Sequence, residues 1–194
     1  MSTIQTTNLK HESSGSNNIV LSSAGGTTIG GNAFPTTSGT SGQFLQTNGS
    51  GTLSWAGGGK ILQVVNAVYG TATSNATSTY SDTGLSATIT PTATSSKILV
   101  LVNQAGCSKT ANTALVLRLL RDATVRITFE EQGGYTGTTT ENSHGSCSVC
   151  YLDSPATTSA VTYKTQFASL YNISSVYVQA SGGDSTITLL EVAG

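Results

Sequence analysis

Charge is scarce in this chain. Only 9% of its 194 residues are charged, against about 25% in an average soluble domain, and the net charge is -1. With 8 Lys and Arg set against 9 Asp and Glu, it has no basic face for phosphates, so no nucleic-acid partner is expected. Histidine is almost absent. His11 lies in a start without strand pattern, so a Ser-His-Asp triad would rest on His144 alone. No G-x-S-x-G elbow, P-loop or H-E-x-x-H helix occurs, and neither enzymatic activity nor a cofactor is expected. The three cysteines are too few, and odd in number, for a disulfide framework, so all three are read as reduced. Long apolar runs are also missing. The longest aliphatic run, 98–102, falls far short of the roughly 20 residues of a membrane-spanning helix. The first five residues lack the basic and apolar regions of a secretory signal.

What is abundant is hydroxyl. Ser and Thr together number 60, with 22 Gly, while 37% of the chain remains apolar. Disorder couples low hydrophobicity to high net charge, and this chain has neither. Thr and Val favour pleated, half-buried surfaces, whereas a helical protein would need Ala, Glu, Leu and Lys. The expected class is all-β.

Two segments differ in character. Residues 13–59 carry no charge at all, and Gly/Ser/Thr/Asn clusters at 22–31, 36–42 and 48–51 signal turns. Between them lie apolar islands containing Ile19, Leu21, Phe34, Phe44, Leu45 and Trp55. One chain cannot bury them in a core of its own. A Gly/Ser linker has no use for such side chains, so residues 1–59 are read as an extended stalk whose copies pool their islands around a common axis. Gly57 to Gly59 then mark a hinge.

From Lys60 onward, strand-like runs recur with the spacing of a sandwich or barrel. Strands are expected near 61–69, 78–81, 85–90, 97–103, 114–120, 124–130, 146–152, 161–169, 175–179 and 186–192, with turns at 82–84, 90–91, 121–122, 133–134, 153–155 and 182–184. Residues 60–194 suit a jelly-roll-like antiparallel β-sandwich.

Candidate chemistry is sparse. His144, Cys147 and Cys150 invite a zinc reading, but structural zinc wants four ligands, and only Cys107, distant in sequence, remains. On a regular strand Cys147 and Cys150 also point to opposite faces. The cysteines are therefore read as small core residues and no metal is assigned. The alternative weighed is a metal on a symmetry axis with one His144 from each copy. Adjacent Glu130 and Glu131 face opposite ways on a strand, and they, with Arg118, Arg121 and Arg126, are read as solvated charges rather than a glycosidase pair. The Asn-x-Ser/Thr triplets at Asn48, Asn75 and Asn172 are expected by chance in so hydroxyl-rich a chain. Tyr135, Asn142 and His144, in polar loops, are the candidates for receptor contact.

Several stretches resemble phage structural proteins. Residues 2–7, STIQTT, with Ile19, Val20 and Leu21, resemble the N-termini of small structural proteins of marine tailed phages. Residues 41–55, SGQFLQTNGSGTLSW, and 82–91, DTGLSATITP, followed by 95–100, SSKILV, resemble segments of phage tail-fibre proteins. So do 152–155, LDSP, and 185–192, STITLLEV. Together they cover most of the chain, and their order is more specific than any one alone. The resemblance implies a virion fibre protein, a homotrimer with a jelly-roll tip, and points to a cyanobacterial host. It carries over no catalytic residue. The function expected is attachment: multiple copies turn weak contacts with a host glycan or envelope protein into avidity. Residues 1–59 would dock on another virion protein through Ile19, Leu21, Phe34, Phe44, Leu45 and Trp55. The location would be the virion, assembled in the host cytoplasm. Alternatives are a capsid decoration or head fibre and, from another class, a polysaccharide-depolymerising fibre tip.

Overall fold

The computed structural model describes residues 6–57 and 59–194. The opening run up to Gln5 and the centre of the expected hinge, Gly58, lie outside the described residues. The chain divides into two compact units, 1–59 and 60–194.

In the first unit the apolar islands become short strands and the Gly-rich clusters become turns. Strands β1 (Asn8–Leu9), β2 (Ile19–Leu21), β3 (Thr27–Ile29) and β4 (Asn32–Ala33) form an antiparallel meander, and β5 (Phe44–Thr47) pairs with β6 (Leu53–Ala56) as a hairpin. Trp55 donates its indole N–H to the Thr37 carbonyl at 2.7 Å. No residue from 6 to 57 is buried, and Phe44 remains 49% exposed. Hydrogen bonding, rather than a core, defines this unit.

In the second unit, period-two alternation produces two antiparallel sheets. One places β7 (Ile61–Tyr69), β16 (Ser185–Val192), β10 (Lys97–Lys109) and β13 (Asn142–Asp153) side by side, and β15 (Val176–Val178) and β8 (Thr73–Asn75) extend it at the far end of β10. The other has the order β12 (Thr124–Gly133), β11 (Leu115–Arg121), β14 (Val161–Ser169), β9 (Ser81–Ile89). Their inner faces meet in one cluster, with Ile98, Val100, Val102, Ile187 and Leu189 against Leu85, Ile89, Leu119, Val161 and Tyr163. Each such side chain contributes about 1.5–3 kcal/mol by leaving water. A second cluster, with Cys107, Leu115, Leu117, Cys147, Phe167, Val176 and Val178, fills the other end. Among the described residues the fold is all-β apart from one 3-10 turn, Ala180–Gly182.

Three expectations are corrected. The turn at 82–84 is instead part of β9: Gly84 adopts φ +89°, and a Cβ there would fall 2.2 Å from the Tyr69 ring. The glycine is needed to admit a tyrosine, not to reverse the chain. The strand expected at 97–103 runs on to Lys109, because a bulge absorbs the break in alternation after Gln104. Arg121 and Arg126 are not free solvated charges. Asp153, whose side chain is 1% exposed, receives the Arg121 guanidinium at 2.7 Å, the Arg126 guanidinium at 2.9 Å and the Tyr163 hydroxyl at 2.8 Å. Burial, and then this carboxylate, push the Tyr163 phenol up. Asp153 thus ties its sheet to the β11, β12 and β14 strands of the other.

Glu191 is a second buried carboxylate. Gln63 donates to it at 2.6 Å, and the Thr92 amide and hydroxyl donate at 2.6 and 2.7 Å. Burial opposes its ionisation, but the polar groups of Ser96, Gln63 and Thr92 outweigh that and hold it at about 2, below its ordinary 4.5. A carboxyl depressed on folding stabilises above its unfolded pKa, and that contribution is lost as pH falls through the folded value. Stability should therefore fall between pH 4.5 and about 2, and the Glu191→Gln variant should show a flatter loss across that window in acid-unfolding curves. An unchanged slope would contradict this role.

Candidate functional site

Four loops gather at one end of the second unit: 76–80, 110–114, 134–141 and 170–175. Backbone bonds join the first, second and fourth of them, from Ser169 N–H to the Thr77 carbonyl, Leu170 N–H to Ala114 and Thr110 N–H to Ser175, each at 2.9 Å. This end is opposite to the one at which the unit begins. Ile61 pairs with Val192, which pairs with Lys97 at the start of β10, whereas the loops leave from the Lys109 end.

Loop 134–141 is held by a buried lysine. Lys109 is 0% exposed, and its ammonium donates to the Thr136 hydroxyl at 2.7 Å and to the carbonyls of Ala111, Thr138 and Thr140. A charge buried without a carboxylate is tolerated only when such acceptors surround it. Sequence reasoning missed this residue, because a lysine at a strand end ordinarily faces solvent.

The three candidate receptor residues occupy different settings. Tyr135 is 42% exposed and its ring lies 5.5 Å from that of Tyr171, tilted by 56°. Asn142 is half-buried and donates to the Gly134 carbonyl at 3.0 Å, closing the base of the loop. His144 is half-buried, and its two ring nitrogens are shielded from solvent. Exposed Leu170, Tyr171 and Ile173 extend the apolar surface beside Tyr135. A cavity of about 250 Å³ lies nearby, lined by Tyr80, Val116, Thr128, Glu131, Gln132 and Leu170. Arg118, read as a solvated charge, instead lies 3.6 Å over the Tyr80 ring and donates to the Gln166 amide oxygen.

Beneath this loop end, the strands bring separate residues together. Gly106, at φ +60°, is the extra residue of a bulge in β10, where a Cβ would fall 2.3 Å from the Ala180 nitrogen. On β13, Gly145, which pairs with Cys107, adopts φ +83° beside a second register shift. Each glycine resets the alternation of its strand. Cys107 consequently faces inward like Gln104, and His144 lies on the same side of β13 as Cys147. The two sulfurs and an imidazole nitrogen all lie within 4.8 Å of one another. The premise that Cys107 is too distant does not hold in the fold. Cys150 points to the opposite face, as alternation requires, but there it is exposed rather than a core residue. Contact with the Cys107 side chain, and then burial, push the Cys147 thiol up, while the same contact pulls Cys107 down. Glu130, expected in solvent, is half-buried and turned toward this group: its Oε2 accepts from the Cys147 sulfur at 3.7 Å.

The docking candidates all lie in the first unit. Phe44 and Leu45 are on β5, Trp55 on β6 and Ile19 and Leu21 on β2, with Phe34 just after β4. Leu21, Phe44, Leu45 and Trp55 are exposed, while Ile19 and Phe34 are partly covered.

No family model and no curated protein matches this sequence. Among solved structures, the crystal structure of infectious bursal disease virus VP2 subviral particle is similar to 73% of this chain at 12% identity, with a TM-score of 0.36; the match spans 40% of that chain.

Proposed function

We propose that this protein is a virion structural protein, a homotrimeric phage fibre subunit whose second unit is an adhesive jelly-roll head and whose first unit is a stalk docking on another virion protein. The observation carrying this reading is the polarity of the second unit. The chain enters at one end, and the loops bearing Tyr135 and Tyr171 gather at the other. The order β7-β16-β10-β13 over β9-β14-β11-β12 suits two interlocked Greek keys. Loops on a rigid sandwich can discriminate a surface, and paired tyrosines offer large contact area at low entropic cost. The role is binding rather than catalysis. Glu130 and Glu131 face apart, so they form no converging acid-base pair.

Self-association has two sources of support. The first unit leaves Leu21, Phe44, Leu45 and Trp55 exposed. On the outer face of the second unit, Val64, Leu190, Leu99 and Leu152 stand side by side across four strands, with Val64 58% and Leu152 51% exposed. A lone soluble domain rarely leaves such a row open.

The test is adsorption. The purified protein should have the molar mass of a trimer in light scattering and compete with particles for host cells. Tyr135→Ala/Tyr171→Ala should weaken that competition by about tenfold or more, since an aromatic anchor contributes about 2 kcal/mol to such an interface. A stable monomer at micromolar concentration, or wild-type protein that does not compete, would defeat the reading.

A further inference from the structure

Cys107, His144 and Cys147 come from two neighbouring strands of one sheet, and Glu130 comes from β12 of the sheet facing it. The arrangement is unusual for a core. Neither nitrogen of His144 has a hydrogen-bond partner among the described residues, although both are buried. Buried polar atoms nearly always have a partner, and leaving one without costs about 1–3 kcal/mol. Nor does any Lys or Arg pair with Glu130 among the described residues. Two thiols, an imidazole and a carboxylate thus converge with no cation of the chain among them. The imidazole is gripped in place: a Cβ on Gly133 would fall 2.9 Å from Nε2, and one on Gly134 2.8 Å from Nδ1.

We propose that these four side chains form a zinc site that staples the two sheets together beneath the 134–141 loop. Zinc takes four ligands from sulfur, imidazole nitrogen and carboxylate oxygen, in a tetrahedron that needs no particular d-electron geometry. With bond lengths of about 2.3 Å to sulfur and 2.1 Å to oxygen, the tetrahedral sulfur–oxygen edge is about 3.6 Å and the sulfur–sulfur edge about 3.8 Å. The Glu130–Cys147 separation of 3.7 Å already matches the first. Cys107, His144 and Cys147 lie within 4.8 Å of one another, and Glu130 would complete the set by turning its carboxylate from Cys147 toward the other two. On binding, the two thiol protons leave to solvent and the sulfurs coordinate as thiolates. His144 then connects the loop base to the metal, while Lys109 holds the loop's interior. The site concerns the stability of the loop end and stands whether or not the loops bind a receptor.

The experiment uses the reduced full-length chain, dialysed against zinc sulfate and then buffer. Elemental analysis should give one zinc per chain. A thiol-reactive reagent should then titrate one fast thiol, Cys150, with two more appearing only after EDTA. Cobalt in place of zinc should give the charge-transfer absorption of tetrahedral thiolate coordination. Cys150→Ser should keep the metal. Cys107→Ser and His144→Ala should lower zinc affinity at least about 100-fold in competition with a chromophoric chelator, more than loss of an outer-shell partner would. If those variants do not fold, thiol protection in the wild-type chain decides alone. Folded, reduced wild type that retains no stoichiometric zinc would overturn the site. So would a Cys107–Cys147 disulfide found by mass spectrometry in protein from particles.

Discussion

Replacing Asp153 by alanine should destabilise the second unit by about 3 kcal/mol, a drop of about 10 °C in its melting temperature. Removal of one member of a buried ion pair strands its partners, and Asp153 has two guanidinium groups and a phenol directed at it. Breaking such a pair costs about 3–5 kcal/mol when the partner stays buried. Here the lower end is expected, because the Arg121 and Arg126 side chains are 20% and 25% exposed and water can reach them. The comparison that isolates the cause is the triple replacement Asp153→Leu, Arg121→Met and Arg126→Met. Without a stranded charge, it should recover most of the lost stability, as apolar substitutes of similar volume usually do. Thermal unfolding by circular dichroism gives both values. If Asp153→Ala melted within a degree or two of wild type, Asp153 would not be the clamp between the sheets described above.

Cutting the chain between its units should have an all-or-none effect. Residues 60–194 contain both buried clusters and should unfold cooperatively at the temperature of the head transition in the whole protein. Residues 1–59 alone should show no cooperative transition as a monomer. Ordering about fifty residues costs on the order of 50–100 kcal/mol of backbone entropy, and no residue from 6 to 57 is buried to offset it. Trp55 is the only tryptophan and reports on this segment directly. Its emission should be that of a solvated indole in the isolated peptide and should shift to the blue when the peptide is fused to an unrelated trimeric domain. If the stalk reading is correct, only the fusion should enter particles, and the isolated head should not. A monomeric 1–59 that melts cooperatively would remove the need for pooled islands. Incorporation of the head alone would move docking to the second unit.

Composition was enough to define the all-β class: a chain rich in Thr and Val and poor in charge has few other ways to satisfy its backbone. Alternation located the cores of most strands, because side-chain direction along a strand depends only on near neighbours. The ends of strands were less legible. The 97–103 strand continues to Lys109 because Gly106 inserts a bulge that a period-two pattern cannot represent, and the apparent turn around Gly84 is a gap made for Tyr69. The site residues depended on the same missing information. Arg121 and Arg126 read as surface charges until β13 carried Asp153 to them, and nothing in the sequence singled out Lys109, around which four oxygens close. Cys107 and Cys147 read as unrelated small residues. Two neighbouring register shifts, one at a glycine on each strand, turn them and His144 to a common side, and the facing sheet supplies Glu130. Periodicity reports which way a side chain points relative to its own strand. Which strand lies beside it, in what register and under which opposing sheet is decided only when the chain packs, since those partners are distant in sequence and their pairing is set by the collective burial of both faces.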